Sequence, residues 1–282
     1  MAEKKILITG AGGMLAQDLV ATLQTSCAVI PRSEYDLDIC NREAVHDTIC
    51  SVQPDAVINC AAFTQVDECE TEKDTAFAVN AGGVKNLALA CHHAACRLFH
   101  ISTDYVFDGT KGKPYAESDE PHPLSVYGQS KLEGERYIRD ILQHYVIVRS
   151  LWLYGRGGGN FVSTIIRLAG EHREIKVVND QKGCPTWTLH LSQAIRALLD
   201  IDAQGIYHIA NQGSCTWYEY ACKIVERAGG GATVTPITSA QINRPAPRPA
   251  YSVLDCSRFT RETGMALKPW DIALEEYLKS SI

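Results

Sequence analysis

Tyr127 and Lys131 stand four residues apart, a spacing that on a helix puts a phenol and an ammonium group on one face. A tyrosine, whose ordinary pKa is near 10, becomes a usable proton donor near neutrality when a cation lies beside its oxygen. Pairs of this kind are common on surface helices. Thr103 gives this one weight: it lies twenty-four residues upstream in Ile101-Ser102-Thr103-Asp104-Tyr105-Val106-Phe107, and its hydroxyl can bond the same carbonyl oxygen that the phenol protonates. Near the start, Thr9-Gly10-Ala11-Gly12-Gly13-Met14-Leu15-Ala16 spaces Gly10, Gly13 and Ala16 by three between an apolar run and an amphipathic stretch. Glycines there permit a tight turn, and amides opening the next helix can hold a pyrophosphate. The second apolar run ends in Pro31-Arg32-Ser33. An acid at that place would bond a ribose 2′-hydroxyl, whereas Arg32 with Ser33 suits a 2′-phosphate. NADPH is therefore favoured, with NADH still open through Glu34 and Asp36.

These groups need a frame that gathers them. Residues 5–9, 28–31, 56–60, 98–102 and 146–149 are short apolar runs, and 15–24, 42–52, 75–93 and 126–143 between them have helical character. The alternation predicts βαβ units. Unbroken apolar stretches such as Ile6-Leu7-Ile8 and Ala56-Val57-Ile58 predict strands covered on both faces. The fold expected is α/β, a doubly wound parallel (Rossmann-like) sheet, with Thr103 at the carboxyl end of the fourth strand, where such sheets bind ligands. After Ser150 the pattern is less regular. Helices are expected at 161–170, 189–200, 217–228 and 270–279, and strands at 175–178 and 206–210. Residues 1–150 plus about 187–211 are read as the dinucleotide-binding domain, and about 151–186 plus 212–282 as a smaller, discontinuous α/β domain for substrate.

Composition sets bounds. The chain of 282 residues is 45% apolar and 21% charged, with a net charge of −6 and charges of both signs intermixed. That excludes disorder and makes a nucleic-acid polymer or a membrane surface a poor partner. No window has the apolar length of a membrane span, and the start has no signal-peptide core, so a cytoplasmic location is expected. Eleven cysteines form no Cys-x-x-Cys and cannot all pair. Cys91-His92-His93 with Cys96 and His100 fits no zinc spacing, and no metal site is expected.

Several longer strings carry a resemblance. They are 59–67 (Asn-Cys-Ala-Ala-Phe-Thr-Gln-Val-Asp), 102–109 (Ser-Thr-Asp-Tyr-Val-Phe-Asp-Gly), 126–131 (Val-Tyr-Gly-Gln-Ser-Lys), Asn179-Asp180-Gln181 with Pro185-Thr186, and Arg248-Pro249. Together they resemble the extended short-chain dehydrogenase/reductases and, within them, the dTDP-4-dehydrorhamnose reductase family, nearly end to end. The resemblance implies NADPH-dependent reduction of the C4 ketone of dTDP-4-dehydro-β-L-rhamnose to dTDP-β-L-rhamnose, in a polysaccharide pathway, by a monomer or homodimer. It implies that Gly13, Met14 and Leu15 contact the cofactor phosphates, Arg32 the adenosine ribose, Asp38 and Ile39 the adenine, and Ala62, Phe63 and Thr64 the nicotinamide side. Thr103, Tyr127 and Lys131 form the implied catalytic set: Tyr127 protonates the C4 oxygen, and Lys131 holds the ribose and lowers the phenol pKa. Thr103, Asp104 and Trp152 would touch the sugar. Arg248, with Arg244, is expected to meet the substrate pyrophosphate.

Some family members bind Mg²⁺ through glutamates at a dimer contact, but Pro185-Thr186-Trp187-Thr188-Leu189-His190 holds no acid. Sugar-nucleotide dehydratases carry Asp-Glu after the threonine, where this chain has Asp104-Tyr105. Two other readings stay open: a reductase of another nucleotide-linked 4-keto-6-deoxysugar, and a non-catalytic, NADP-binding regulatory subunit of methionine adenosyltransferase. The intact Thr103, Tyr127 and Lys131 weigh against the second.

Overall fold

The computed structural model describes residues 3–281. Six parallel strands form the central sheet: β1 (Lys4–Thr9), β2 (Cys27–Arg32), β3 (Ala56–Asn59), β4 (Arg97–Thr103), β5 (Tyr145–Ser150) and β10 (Gly205–His208). Their spatial order is β2-β1-β3-β4-β5-β10. Alternating side chains of β1 serve opposite faces. Ile6 and Ile8 pack with α1 (Met14–Leu23) and α7 (Thr188–Asp200) in a core that includes Leu19, Ile58, Leu191 and Ile195. Leu7 packs on the other face with α2 (Arg42–Val52), α4 (Val84–His93) and α5 (Val126–Ile141), against Ile49, Val57, Leu87 and Ile138. Burial on both sides explains why these strands read as unbroken apolar runs. The chain steps from β1 to β2 and then returns to β3 on the other side of β1, which opens the crevice at the carboxyl ends where doubly wound sheets bind nucleotides.

One expected helix is broken. Residues 75–93 are not continuous: α3 (Lys73–Phe77) leads into a π-helical segment, Ala78–Gly83, before α4. The wider turn leaves the Asn80 side chain free to pair with the Phe63 backbone, accepting from its N–H (2.9 Å) and donating to its carbonyl (3.0 Å), and to donate to Ser130 Oγ (3.0 Å). A Cβ on Gly83 would sit 2.6 Å from Ile39, so glycine is what lets this segment lie against the loop after β2.

A second set of elements packs around its own apolar cluster of Tyr154, Val162, Ile175, Tyr220, Ile224 and Leu274. It comprises α6 (Phe161–Glu171), α8 (Trp217–Arg227), α10 (Trp270–Ser281) and the parallel pair β7 (Glu174–Val178) and β12 (Thr233–Ile237). Two-residue pairings tie it to the rest: β6 (Leu153–Tyr154) with β9 (Thr186–Trp187), and β8 (Lys182–Gly183) with β11 (Cys215–Thr216). The short α9 (Ser257–Thr263) packs under β10. Among the described residues no helix is long and apolar enough to cross a membrane.

Candidate active site

At the carboxyl end of β1 the chain turns through Gly10 at φ +68°, and a Cβ there would lie 2.6 Å from the Ala61 nitrogen. Only glycine satisfies both limits. Gly13 then caps α1 with no side chain bonded to the first turn, which leaves the first amides of the helix, at Met14 and Leu15, open to an anion. Arg32 is partly exposed at the end of β2, bonded only to its own neighbour's carbonyl at Pro31. Ser33 is occupied by Asp36, which accepts from both its hydroxyl and its amide. Asp38 is exposed, and Ile39 is buried beside Gly83. Ala62, Phe63 and Thr64 follow β3 on the same edge, with Phe63 fixed by Asn80. A glycine turn, an uncapped helix start and an unpaired guanidinium fit a dinucleotide with a 2′-phosphate.

Ser125 caps α5, accepting from the Gly128 amide at 3.2 Å, and a Cβ on Gly128 would fall 2.2 Å from the Tyr105 carbonyl oxygen. The absence of a side chain at 128 lets α5 press against the turn after β4, and this brings Tyr127 to Thr103. Burial pushes the Tyr127 phenol well above its ordinary pKa, with Asp104, Tyr105 and Cys69 adding to the rise and the Thr103 hydroxyl pulling the other way. Thr103 donates to Asp104 Oδ1 (3.1 Å), while Asp104 Oδ2 is buried without a hydrogen-bond partner. Desolvation raises the Asp104 carboxyl to about 6, with the Thr103 hydrogen bond pulling the other way.

Lys131 Nζ donates to the Ile101 carbonyl at 2.7 Å and lies 3.2 Å from His100 Nε2. The side chain is 1% exposed, so its polar end must find partners inside, and β4 supplies them. Burial lowers Lys131 to about 8, partly offset by Glu135 and Cys60. His100 and Asn59, not singled out individually from the sequence, complete a buried chain from β1 through β3 and β4 to α5.

Beside this edge lies a cavity of about 540 Å³ lined by Tyr105, Phe161, Val177, Trp217, Arg244 and Arg248, among others. Trp152 sits behind it at φ +49°, stacked on Trp217 with ring centroids 3.6 Å apart and planes 12° apart. A bulky residue in the left-handed region marks a place the surroundings over-determine. Here Gly183 is part of the cause, since a Cβ on it would lie 2.6 Å from the Trp152 ring. Arg248 reaches the cavity wall but is already engaged: both terminal nitrogens donate to Asp67 at 2.9 Å, and Nη1 also to the Ala246 carbonyl. Arg244, half exposed, is the freer of the two, 3.5 Å from Asp67. The Asp67 clamp went unremarked in the sequence because its partners are far along the chain.

Of the cysteine and histidine residues grouped by sequence, Cys91 and Cys96 share one core cluster and the histidines lie apart from them. Cys91 and Cys96 are buried, His92 and His93 exposed, and His100 belongs to the chain above. His93 meets His46 and Cys50 instead, with one ligand atom of each within 4.8 Å of the others and Cys50 Sγ 3.6 Å from His46 Nε2. All eleven cysteines are free thiols.

A doubly wound sheet with a glycine turn at its crevice, and a hydroxyl and a phenol meeting at the same edge, defines an NAD(P)-dependent oxidoreductase of the extended short-chain class. The chain belongs to the dTDP-4-dehydrorhamnose reductase family: the family model described as RmlD substrate binding domain matches residues 4–282. It is 42% identical to a dTDP-4-dehydrorhamnose reductase of Streptomyces griseus, across 96% of this chain and 91% of that one. Two solved structures superpose with TM-scores of 0.96: a dTDP-4-dehydrorhamnose reductase from Clostridium acetobutylicum (43% identity, 98% and 99% covered), and one from Bacillus anthracis in complex with NADP (37% identity, 99% and 100% covered).

Proposed function

We propose that the protein reduces the C4 ketone of dTDP-4-dehydro-β-L-rhamnose to dTDP-β-L-rhamnose with NADPH. The observation that carries this reading is the meeting of Thr103 and Tyr127 between the Gly10 turn and the aromatic, arginine-bearing cavity. The Gly10-Gly13 turn, Met14 and Leu15 hold the cofactor phosphates, Arg32 its 2′-phosphate, Asp38 and Ile39 its adenine, and Ala62 to Thr64 its nicotinamide side. NADPH bound there supplies hydride to the ketone carbon. Tyr127 gives its phenolic proton to the carbonyl oxygen, so carbon and oxygen each gain one hydrogen. The same burial that pushes the phenol up keeps it protonated until substrate arrives. Thr103 bonds that oxygen, and Asp104 and Trp152 meet the sugar.

In this reading residues 1–150 plus about 187–211 serve the cofactor, and the remainder serves the nucleotide-linked sugar. Eleven free thiols fit a reducing cytoplasm. NADPH oxidation by purified protein with dTDP-4-dehydro-β-L-rhamnose tests the proposal; no turnover with this substrate overturns it.

A further inference from the structure

His46 and Cys50 stand one turn apart on α2, and Cys50 Sγ lies 3.6 Å from His46 Nε2 and 4.0 Å from its Nδ1. His93, the last residue of α4, comes to the same place. Its ring centroid is 5.0 Å from that of His46 with the planes tilted by 51°, and one ligand atom of each of the three residues lies within 4.8 Å of the others. Both imidazoles are exposed and the thiol is partly buried, so the group can be reached from solvent. Nothing local in the chain links α2 to His93, and sequence grouping therefore pairs His93 with the wrong neighbours.

Two imidazoles and a thiolate suit a borderline-soft divalent ion. In tetrahedral zinc, bonds of about 2.3 Å to sulfur and about 2.0–2.1 Å to nitrogen set an S···N edge of about 3.6 Å and an N···N edge of about 3.3–3.4 Å. The Cys50–His46 edge already has that length. His93 closes the remaining edges by turning its side chain, and because it is exposed it displaces no core residue in doing so. The backbones beneath are fixed: Val45 and Ile49 of α2 and Leu87, Ala90 and Cys91 of α4 share one core cluster, and the Gln53 side chain donates to the Cys50 carbonyl at 2.8 Å. Electrostatics add to this. Cys50 lies in the last turn of α2 and His93 in that of α4, so two helix carboxyl ends, each carrying partial negative charge, meet at the group. Both helices end just before β3 and β4 begin, which puts the group on the edge of the sheet opposite the crevice.

We propose that His46, Cys50 and His93 form a zinc site with three protein ligands and a fourth position left to water, a staple between the carboxyl ends of α2 and α4. Binding replaces the S–H bond of Cys50 by a Zn–S bond and releases that proton to solvent, while the two imidazoles bind neutral through a ring nitrogen. With three ligands at the surface, the staple loads and unloads with the free zinc concentration, unlike a closed four-ligand structural site.

One equivalent of Co²⁺ added to untagged, reduced protein tests the ligand set. A near-ultraviolet sulfur-to-cobalt charge-transfer band and the visible bands of tetrahedral cobalt are expected, abolished by Zn²⁺ and untouched by excess Mg²⁺, which prefers oxygen ligands. Absence of the sulfur band, or its persistence in Cys50→Ser, overturns the proposal. His46→Ala and His93→Ala should each weaken Zn²⁺ binding by at least about tenfold in competition with a chromophoric chelator, and His92→Ala should leave it unchanged. Equal losses at His92 and His93 contradict the assignment. The substituted side chains are exposed or only partly buried, and far-ultraviolet circular dichroism checks that each variant keeps its fold. Zn²⁺ should also slow amide hydrogen exchange in the last turns of both helices; slowing in α2 alone means that His46 and Cys50 hold the ion without His93, and the staple fails. None of these outcomes depends on which ketone the protein reduces.

Discussion

Asp104 shows how much one buried group can carry. Folded, its carboxyl keeps a proton up to about 6; unfolded, it releases it near 3.8. The folded chain therefore binds more protons between those values. The contribution is fully present below 3.8 and is lost as pH rises through 6, a penalty on the order of 3 kcal/mol. Asp104→Asn removes the titration, so relative to wild type the variant should gain about that much between pH 4 and pH 8 in urea unfolding; an offset equal at both pH values contradicts it. For the chemistry, Tyr127→Phe should lower kcat by about 10²–10⁴-fold with little change in KM, read by NADPH oxidation. Thr103, Tyr127 and Lys131 could be picked out as candidates because a hydroxyl joins a phenol and an amine at helical spacing. The direction of the Lys131 side chain was not legible. It depends on His100 and Asn59, which in the sequence read as parts of apolar strands.

At the level of elements, the close approach of α5 to the turn after β4 sets where Tyr127 stands in the proposed site. Gly128→Ala puts a Cβ 2.2 Å from the Tyr105 carbonyl, a contact that only a shift of the helix or the turn relieves. A displacement of about 1 Å at Tyr127 should cost roughly 10²-fold in kcat. Stability should fall by about 1–3 kcal/mol, as for overpacked sites. Steady-state kinetics and urea unfolding check the two effects separately, and a variant with wild-type kcat contradicts the argument. The five strands of the first half and most of its helices could be read from periodicity to within two residues at each end. The π-helical segment could not, since Asn80 widens its turn for Phe63 and Ser130, partners 17 and 50 residues away. The two-residue pairings β6 with β9 and β8 with β11 are too short to have a period, and β12 carries Pro236 in an otherwise β-branched run.

For the whole molecule, Asp67 joins the edge beyond β3 to the Pro-rich segment near the carboxyl terminus, across a separation of 181 residues to Arg248. Arg248→Glu opposes two carboxylates and removes a cation from the cavity wall. The substrate KM should rise at least about tenfold, one misplaced charged hydrogen bond being worth 1.5–3 kcal/mol, and the NADPH KM should change far less. Equal effects on both would place Arg248 outside the substrate side. The doubly wound half was legible because its strands are buried on both faces; the second half rests on contacts between segments that alternate in the chain, and no local pattern records those. Finally, the indole of Trp217 at the cavity wall and that of Trp152 stacked behind it, 3.6 Å apart with planes 12° apart, form a built-in optical gauge. Any molecule that enters beside Trp217 perturbs a coupled chromophore pair, so near-ultraviolet circular dichroism and tryptophan emission should report occupancy without a label.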